Sequence, residues 1–308
     1  MPRVPGVPEV LLAQAALTVL PVQGKVHVIT GTGANVVVQV GSRGVLLVDT
    51  PPAALVPQVM AEIRKLSPLP VRYIVNTSVD PAHTGGNAIL ATPPGGRGGG
   101  GAPFGFVGLG RPSILAHENV LNRMSKPAPG QPATPGGAMP TTTYYMPSMD
   151  LANGEAIFLH HQPAAYTDSD TVVLFRGSDV VVTGDVFTPG RYPTIDVDQG
   201  GSVQGIVAAL GHVLALAVPE AFEEGGTKIV PGHGRISEET DVAEFRDMVV
   251  IVRDRVQDLI KKGRTLDQIK AERPSRDYDA EYGASRADAD RFVDSIHRSL
   301  TQKPGRRS

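Results

Sequence analysis

Apolar residues in the first half of the chain come in short, dense runs closed by glycine. Lys25–Thr30, Asn35–Val40 and Gly44–Asp49 are rich in Val, Ile and Leu, and Gly31-Thr32-Gly33 and Gly41-Ser42-Arg43-Gly44 separate them. Such runs, bounded by turn formers, predict a hairpin-rich series of strands. Between Pro51 and Leu66 the period changes, and Leu55, Val59 and Ile63 fall on one face of a helix. Val71–Asn76 and Ile114–Ala116 read as further strands. The second half repeats the style, with strands at Thr141–Met146, Ala156–His161, Thr171–Phe175 and Val180–Thr183. A helix over about Ser202–Ala217 carries Val203, Ile206, Val207, Leu210, Val213 and Leu214 at helical spacing, and Lys228–Val230 is a last short strand. Two strand-rich halves, each closed by helices, predict an α/β (α+β) sandwich of two packed sheets with outer helices, in four layers αββα.

After Gly234 the composition turns charged and helical. Asp241-Val-Ala-Glu244 resembles a capping box, and Val242, Phe245, Val249, Val252, Val256 and Leu259 follow as an apolar stripe that Lys261-Lys262-Gly263 closes. Thr265-Leu-Asp-Gln268 opens another helix, which should stop before Pro274. The stripe predicts a helical extension over 236–300, docked on a core over 22–235. Pro93–Gly110 and Lys126–Pro140 are Pro/Gly-rich connectors, and Lys303–Ser308 a frayed end. The glycine run of the first connector lacks the Lys-Ser/Thr ending of a phosphate loop.

Composition narrows the chemistry. The 308 residues are 41% hydrophobic and 19% charged, the balance of a soluble globular chain. A formal net charge of −2 supplies no basic field, which disfavours a nucleic-acid partner. With no cysteine there are no disulfides, thiolate ligands or thiol nucleophiles, so any metal must be held by nitrogen and oxygen. No apolar run approaches a membrane span. Ala13-Gln14-Ala15 resembles a signal-peptidase site, but Val10-Leu11-Leu12 is too short an apolar block before it, and Val10–Leu20 reads as a lead-in to the first strand. Compartment and oligomeric state stay open.

The chemistry lies in Asn76-Thr-Ser-Val-Asp-Pro-Ala-His-Thr-Gly-Gly-Asn87, directly after a strand. This segment resembles the metallo-β-lactamase superfamily signature N-T-H-x-H-x-D-H-x-G-G-N. Three more segments follow in that family's order. Ala165-Tyr-Thr-Asp-Ser-Asp170 resembles A-H-T-D-G-D, Thr183-Gly-Asp185-Val-Phe resembles the G-D-x-F segment, and Pro231-Gly-His-Gly234 is the P-G-H-G segment. Ala116-His-Glu-Asn-Val120 and Gly190-Arg-Tyr-Pro193 are similar to a bacterial branch of small, often exported metallohydrolases. The resemblance spans roughly Lys25 to Gly283, and four ordered segments are far more specific than any one of them.

The ligand positions depart from the family pattern. Ser78 and Asp80 stand where the signature has its first two histidines, Ala82 where it has Asp, and Tyr166 where the middle segment has His. His83, Asp185 and His233 remain. The resemblance therefore implies loss of the first metal site and retention of two histidines and the bridging carboxylate of the second. Such a trio suits one divalent ion, most simply Zn²⁺ with Fe²⁺ or Mn²⁺ as alternatives, which lowers the pKa of a bound water to about 7. Asp80 is a candidate auxiliary ligand or base, and Tyr166 a candidate donor to a substrate carbonyl. The implied activity is hydrolysis of a small-molecule ester, thioester, lactone or amide. The alternative is a non-catalytic relative that keeps the cleft for binding a small molecule or partner, its His233 and Asp185 satisfying loop backbone and each other without metal.

Other residues weigh less. Ser78 lacks a neighbouring His–acid pair for a triad. Asp49 ends a strand, a position that in this family supports the metal loop. His117 either caps an element or lines the cleft, and at most one of His160 and His161 can face it. His27, His212 and His297 read as surface or packing residues, and Asp168 and Asp170 as turn residues before a strand.

Overall fold

The computed structural model describes residues 16–92, 111–126, 133–146, 148–222 and 225–302. The connector Pro93–Gly110, the middle of Lys126–Pro140, the terminal Lys303–Ser308 and the start of the lead-in lie outside the described residues.

The glycine-punctuated opening forms an antiparallel meander: β1 (Thr18–Gln23), β2 (Val26–Thr30), β3 (Val36–Gly41) and β4 (Gly44–Val48). A short 3₁₀ turn at Ala53–Leu55 and helix α1 (Val56–Leu66) then cross to β5 (Val71–Val75), which pairs parallel with β4. β6 (Ser113–His117) and β7 (Thr142–Tyr144) continue the parallel run. The first sheet has the order β1-β2-β3-β4-β5-β6-β7. The second is built from β8 (Ser148–Ala152), β9 (Glu155–Gln162), β10 (Asp170–Phe175), β11 (Val180–Gly184) and β12 (Lys228–Pro231), in the order β12-β11-β10-β9-β8. Only its β11–β12 pair is parallel.

Alternation along the strands sets the layers. Val26, Val37, Leu46, Val48 and Val75 face Ile157, Leu159, Val173, Val180 and Val182 across the sandwich. On the outer face of the first sheet, Val38, Leu47 and Ile74 meet Val59 and Ile63 of α1. On the outer face of the second, Val172, Val181 and Ile229 meet α5 (Val203–Leu216) and α6 (Glu239–Lys261). These are the four expected layers. The stripe Val242, Phe245, Val249, Val252 and Val256 is buried in that outer core, with Leu259 at its edge. Ala289, Phe292, Val293 and Ile296 of α9 (Arg286–Thr301) join it.

Several details differ from the sequence reading. The end of the lead-in, from Thr18, belongs to an edge strand, β1, paired along β2. Helix α6 starts at Glu239 rather than near Asp241. Asp241 is its third residue, and its carboxylate reaches back to accept from Glu238 N at 2.9 Å. Helix α7 (Leu266–Glu272) opens on the expected Thr265 box and ends before Pro274. Elements that were not foreseen include β8, α4 (Glu118–Ser125), the short helices α2 (Pro81–Thr84) and α8 (Asp279–Tyr282), and α9. Among the described residues no helix is long and apolar enough to cross a membrane.

Candidate metal centre

The parallel strands β4, β5 and β6 end on one edge of the first sheet, and β11 and β12 end on the matching edge of the second. Backbone bonds stitch the two edges: Thr171 N donates to Thr77 O at 2.8 Å and Asn35 N to Gly232 O at 2.7 Å. All four motif segments meet along this seam.

The loop after β5 runs into α2 (Pro81–Thr84), whose start the sequence specifies. Asp80 caps it, accepting from Ala82 N at 2.8 Å, and Pro81 occupies the first turn. That turn carries His83 into the seam, where it is fully buried. Its carbonyl accepts from Thr50 N at 2.9 Å and from Asn76 Nδ2 at 3.1 Å, while Asn87 ties Asn76 to Ala138 O. Asn87 opens α3 (Asn87–Leu90), as the Gly85-Gly86-Asn87 segment suggested.

Asp49 leaves β4 with φ 65°, an uncommon backbone for a residue with a Cβ. Its side chain explains the conformation. It accepts from Thr77 N and Thr77 Oγ1, each at 2.7 Å, and from His83 Nδ1 at 2.7 Å. A carboxylate on Nδ1 fixes the tautomer and leaves Nε2 facing inward. His83 Nε2 lies 3.0 Å from Asp185 Oδ2, and His233 Nε2 lies 3.5 Å from Asp185 Oδ1. His233 Nδ1 donates to Gly33 O at 2.8 Å, so its Nε2 is likewise the inward atom. Asn35 Nδ2 braces the P-G-H-G turn by donating to Pro231 O and Gly234 O. Gly232 permits this approach: a Cβ there would lie 2.7 Å from Asp185 Oδ1 and 2.9 Å from His83 Cε1.

The trio His83, Asp185 and His233 therefore converges, with one ligand atom from each within 4.8 Å of the others. Two observations test its fit to a metal. Asp185 Oδ1 is buried without a hydrogen-bond partner. The donor set is two imidazoles and a carboxylate, with both rings oriented through their Nδ1 atoms, as Zn²⁺ and related ions require. The residues fit such an ion.

Protons compete for the same place. Burial alone would lower the His83 pKa, but Asp185 and Asp49 on either side raise it well above its ordinary value. Burial pushes Asp185 upward, and the neighbouring His83 more than reverses this, holding its carboxyl low. The carboxylates on either side of His83 thus favour its protonated form, which a metal would have to displace.

Tyr166 and Ser78 sit together with Asp80 beside the trio. Tyr166 OH donates to Asp80 Oδ2 at 3.1 Å, and Ser78 Oγ accepts from Asp80 N at 3.3 Å. Burial first, then the charges of Asp80 and Asp185, push the Tyr166 phenol far above its ordinary range, so it stays a neutral donor. Asp80, occupied as a cap and by Tyr166, is not in the converging trio.

The remaining histidines divide by face. His117 caps α4, its Nδ1 accepting from Asn119 N at 3.3 Å, and it stacks on His161 with ring centres 3.4 Å apart. Burial, then His161, lowers its pKa to about 4. His160 points to the opposite face of the second sheet, against His212 of α5. Asp168 pairs with Arg123 at 2.7 Å, whereas Asp170 is no open turn residue: it opens β10, is buried, and accepts from Thr167 N at 2.7 Å. Thr77, Asn35 and the Gly33 carbonyl were not foreseen as supports. Only the placement of their segments at the seam reveals them.

No family model and no curated protein matches the chain. Solved structures do. A metallo-beta-lactamase from Pontibacter korlensis superposes with a TM-score of 0.55 at 13% identity, covering 76% of this chain and 99% of its own. The stereoselective inverting sec-alkylsulfatase Pisa1 from Pseudomonas sp. gives 0.66 at 16% identity over 94% of this chain. A double mutant of that sulfatase gives 0.65 at 17% over 96%. The chain spans about half the length of the sulfatases, 51% and 52%. The four layers, the strand order and these superpositions agree: the chain has the metallo-β-lactamase fold.

Proposed function

We propose that the protein is a metal-dependent hydrolase with one divalent ion, Zn²⁺ before Fe²⁺ or Mn²⁺, held by His83, Asp185 and His233. The observation that carries this reading is the Asp185 carboxylate between two imidazoles: its Oδ2 meets His83 Nε2 at 3.0 Å, and its buried Oδ1 has no hydrogen bond, with His233 Nε2 3.5 Å away. A divalent ion there supplies Lewis acidity and brings the pKa of a water toward about 7. The chain's own groups do the rest. Asp49 and the Gly33 carbonyl orient the two rings. Asp80 accepts a proton at Oδ2 once Tyr166 turns from it, and the Tyr166 hydroxyl donates to negative charge developing on the substrate oxygen. The substrate class is a small ester, thioester, lactone or amide. The likeness to an alkylsulfatase adds sulfate esters to the panel worth testing.

Untagged protein loaded with Zn²⁺ should carry one ion per chain more than its His233→Ala variant, by elemental analysis. Hydrolysis of at least one panel ester should fall with that ion. Equal zinc in parent and variant would overturn the reading.

A second reading, a non-catalytic relative that binds a small molecule or partner in the cleft, is favoured by a different observation. Asp49 and Asp185 already neutralise His83, and the Tyr166–Asp80 bond closes the place of the missing first site. Under that reading zinc changes neither stability nor activity.

A further inference from the structure

His160 and His212 lie on the far side of the second sheet from the trio. His160 is on β9, where Ile157 and Leu159 face the sandwich interior and Phe158 faces the outer core, so alternation sends His160 outward with Phe158. His212 comes from α5 above it. Their ring centres are 4.7 Å apart and their planes inclined by 61°. The Nε2 atoms of both are buried and have no hydrogen-bond partner. Two buried imidazole nitrogens on neighbouring rings, neither with a partner among the described residues, are rare in a folded protein and call for an occupant or an unusual role.

The surroundings supply room but no charge. A cavity of about 240 Å³ adjoins the pair, lined by Gln162, Ala164, Gly205, Ala208 and both imidazoles. Among the described residues no carboxylate lines it to favour the imidazolium forms. Burial lowers the pKa of each ring, and His212 lowers that of His160 further, which leaves neutral rings with lone pairs to offer. Neutral imidazoles are ligands of choice for Cu²⁺, Ni²⁺ and Zn²⁺. Two imidazoles that share an ion at about 2.0–2.1 Å per bond hold their ring centres roughly 4.5–5.2 Å apart, for bond angles between a right angle and tetrahedral. The observed separation falls inside that window.

We propose that His160 and His212 form a second, two-imidazole binding site for a divalent transition metal, separate from the seam trio. Water and the Gln162 side chain in the cavity complete its coordination. Without a carboxylate the site selects the ions with the highest imidazole affinity, copper before nickel and zinc. Proton chemistry at the trio does not require it.

Cu²⁺ added to metal-stripped, full-length His233→Ala protein tests the site with the trio disabled. One equivalent should bind, and electron paramagnetic resonance should show coupling to two imidazole nitrogens. His160→Gln and His212→Gln, each in the same background, should weaken binding at least about 10–100-fold, the loss that even an outer partner of a metal ligand causes. His297→Gln should bind copper like its parent. Because a substituted chain could fold poorly and copper displaces zinc from imidazole ligands, the same spectrum is read on a second background, His83→Gln with His233→Gln, whose melt is checked and whose trio keeps no imidazole. Coupling to fewer than two nitrogens in that background, or equal copper affinity in folded His160→Gln and His212→Gln, would overturn the proposal.

Discussion

Asp49 illustrates how much of the site one side chain carries. It is held in a left-handed backbone, is buried, and its carboxylate accepts from Thr77 and His83 together. Asp49→Asn keeps the shape but turns a donor toward His83 Nδ1, so the ring loses the partner that fixes its tautomer. Zinc affinity at the trio should fall about 10–100-fold, read by competition with a chromophoric chelator. Gly232→Ala tests close approach instead. Its Cβ would press on Asp185 Oδ1 and His83 Cε1, and such overpacking costs about 1–3 kcal/mol of stability by denaturant melts. Asp170 gives a pH signature. Burial is the main reason its pKa rises from 3.8 to about 8. The folded state holds that proton more tightly than the unfolded chain does. Stability from this group is therefore complete below pH 3.8, declines as pH rises, and is gone above about 8. Asp170→Asn, a mimic of the protonated acid, should flatten the decline in melting temperature between about pH 5 and 8, and an unchanged slope would exclude Asp170 as its source. The convergence of His83, Asp185 and His233 was legible because each sits in a motif at a strand end. Asn35 and the Gly33 carbonyl were not, because they reach the P-G-H-G turn from a hairpin about two hundred positions away.

At the scale of elements, legibility followed the strength of local pattern. Strands β3, β4, β10 and β11 are short apolar runs buried on both faces and could be read with small errors at their ends. Helix α4 was missed because its cap is an imidazole, His117, rather than Ser, Thr, Asp or Asn. Helix α9 did carry a signal: Ser285 with Asp288 at its start, then Ala289, Phe292, Val293 and Ile296 at helical spacing. Its apolar face is narrow, and its importance shows only where it lies against α5 and α6. Phe292 stacks on Tyr192, Phe187 meets Phe245 edge-on, and Tyr192 OH donates to Asp279 Oδ1 at 2.8 Å. The large buried side chains of α6 and α9 contribute roughly 1.5–3 kcal/mol each. Deleting everything after Gly234 should expose Val172, Val181 and the inner face of α5 and give insoluble or molten protein. A truncated chain that melts cooperatively at the full-length temperature would show that the extension is dispensable. Phe245→Ala is the graded version and should cost about 3–5 kcal/mol.

At the scale of the whole molecule, the two sheets fix where the loop ends converge, whatever side chains those ends carry. The seam is built by backbone bonds such as Thr171 to Thr77 and Asn35 to Gly232, none of which needs a ligand at Ser78, Asp80, Ala82 or Tyr166. Restoring the family's residues there should therefore rebuild a two-metal site without moving the chain. The variant combines Ser78→His, Asp80→His, Ala82→Asp and Tyr166→His. Its metal-free form should be less stable than the parent, because imidazoles and a carboxylate enter a packed seam and the Asp80 cap and the Tyr166–Asp80 bond are lost. An ion that binds only the folded state offsets this by mass action, adding about 2.7 kcal/mol at a concentration one hundred times its dissociation constant. The melting temperature of the variant should thus climb more steeply with zinc than that of the parent. In the parent, the climb should vanish with His83→Ala or His233→Ala. Elemental analysis of the variant should gain one ion over the parent, and His160→Gln should leave that gain untouched, since the outer pair lies across the sheet. A parent that ignores zinc beside a zinc-responsive variant would favour the non-catalytic reading. If the fourfold variant gains neither metal nor a zinc-dependent melt, the four positions do not face a common point, and the alignment that gives His83, Asp185 and His233 their roles fails with it.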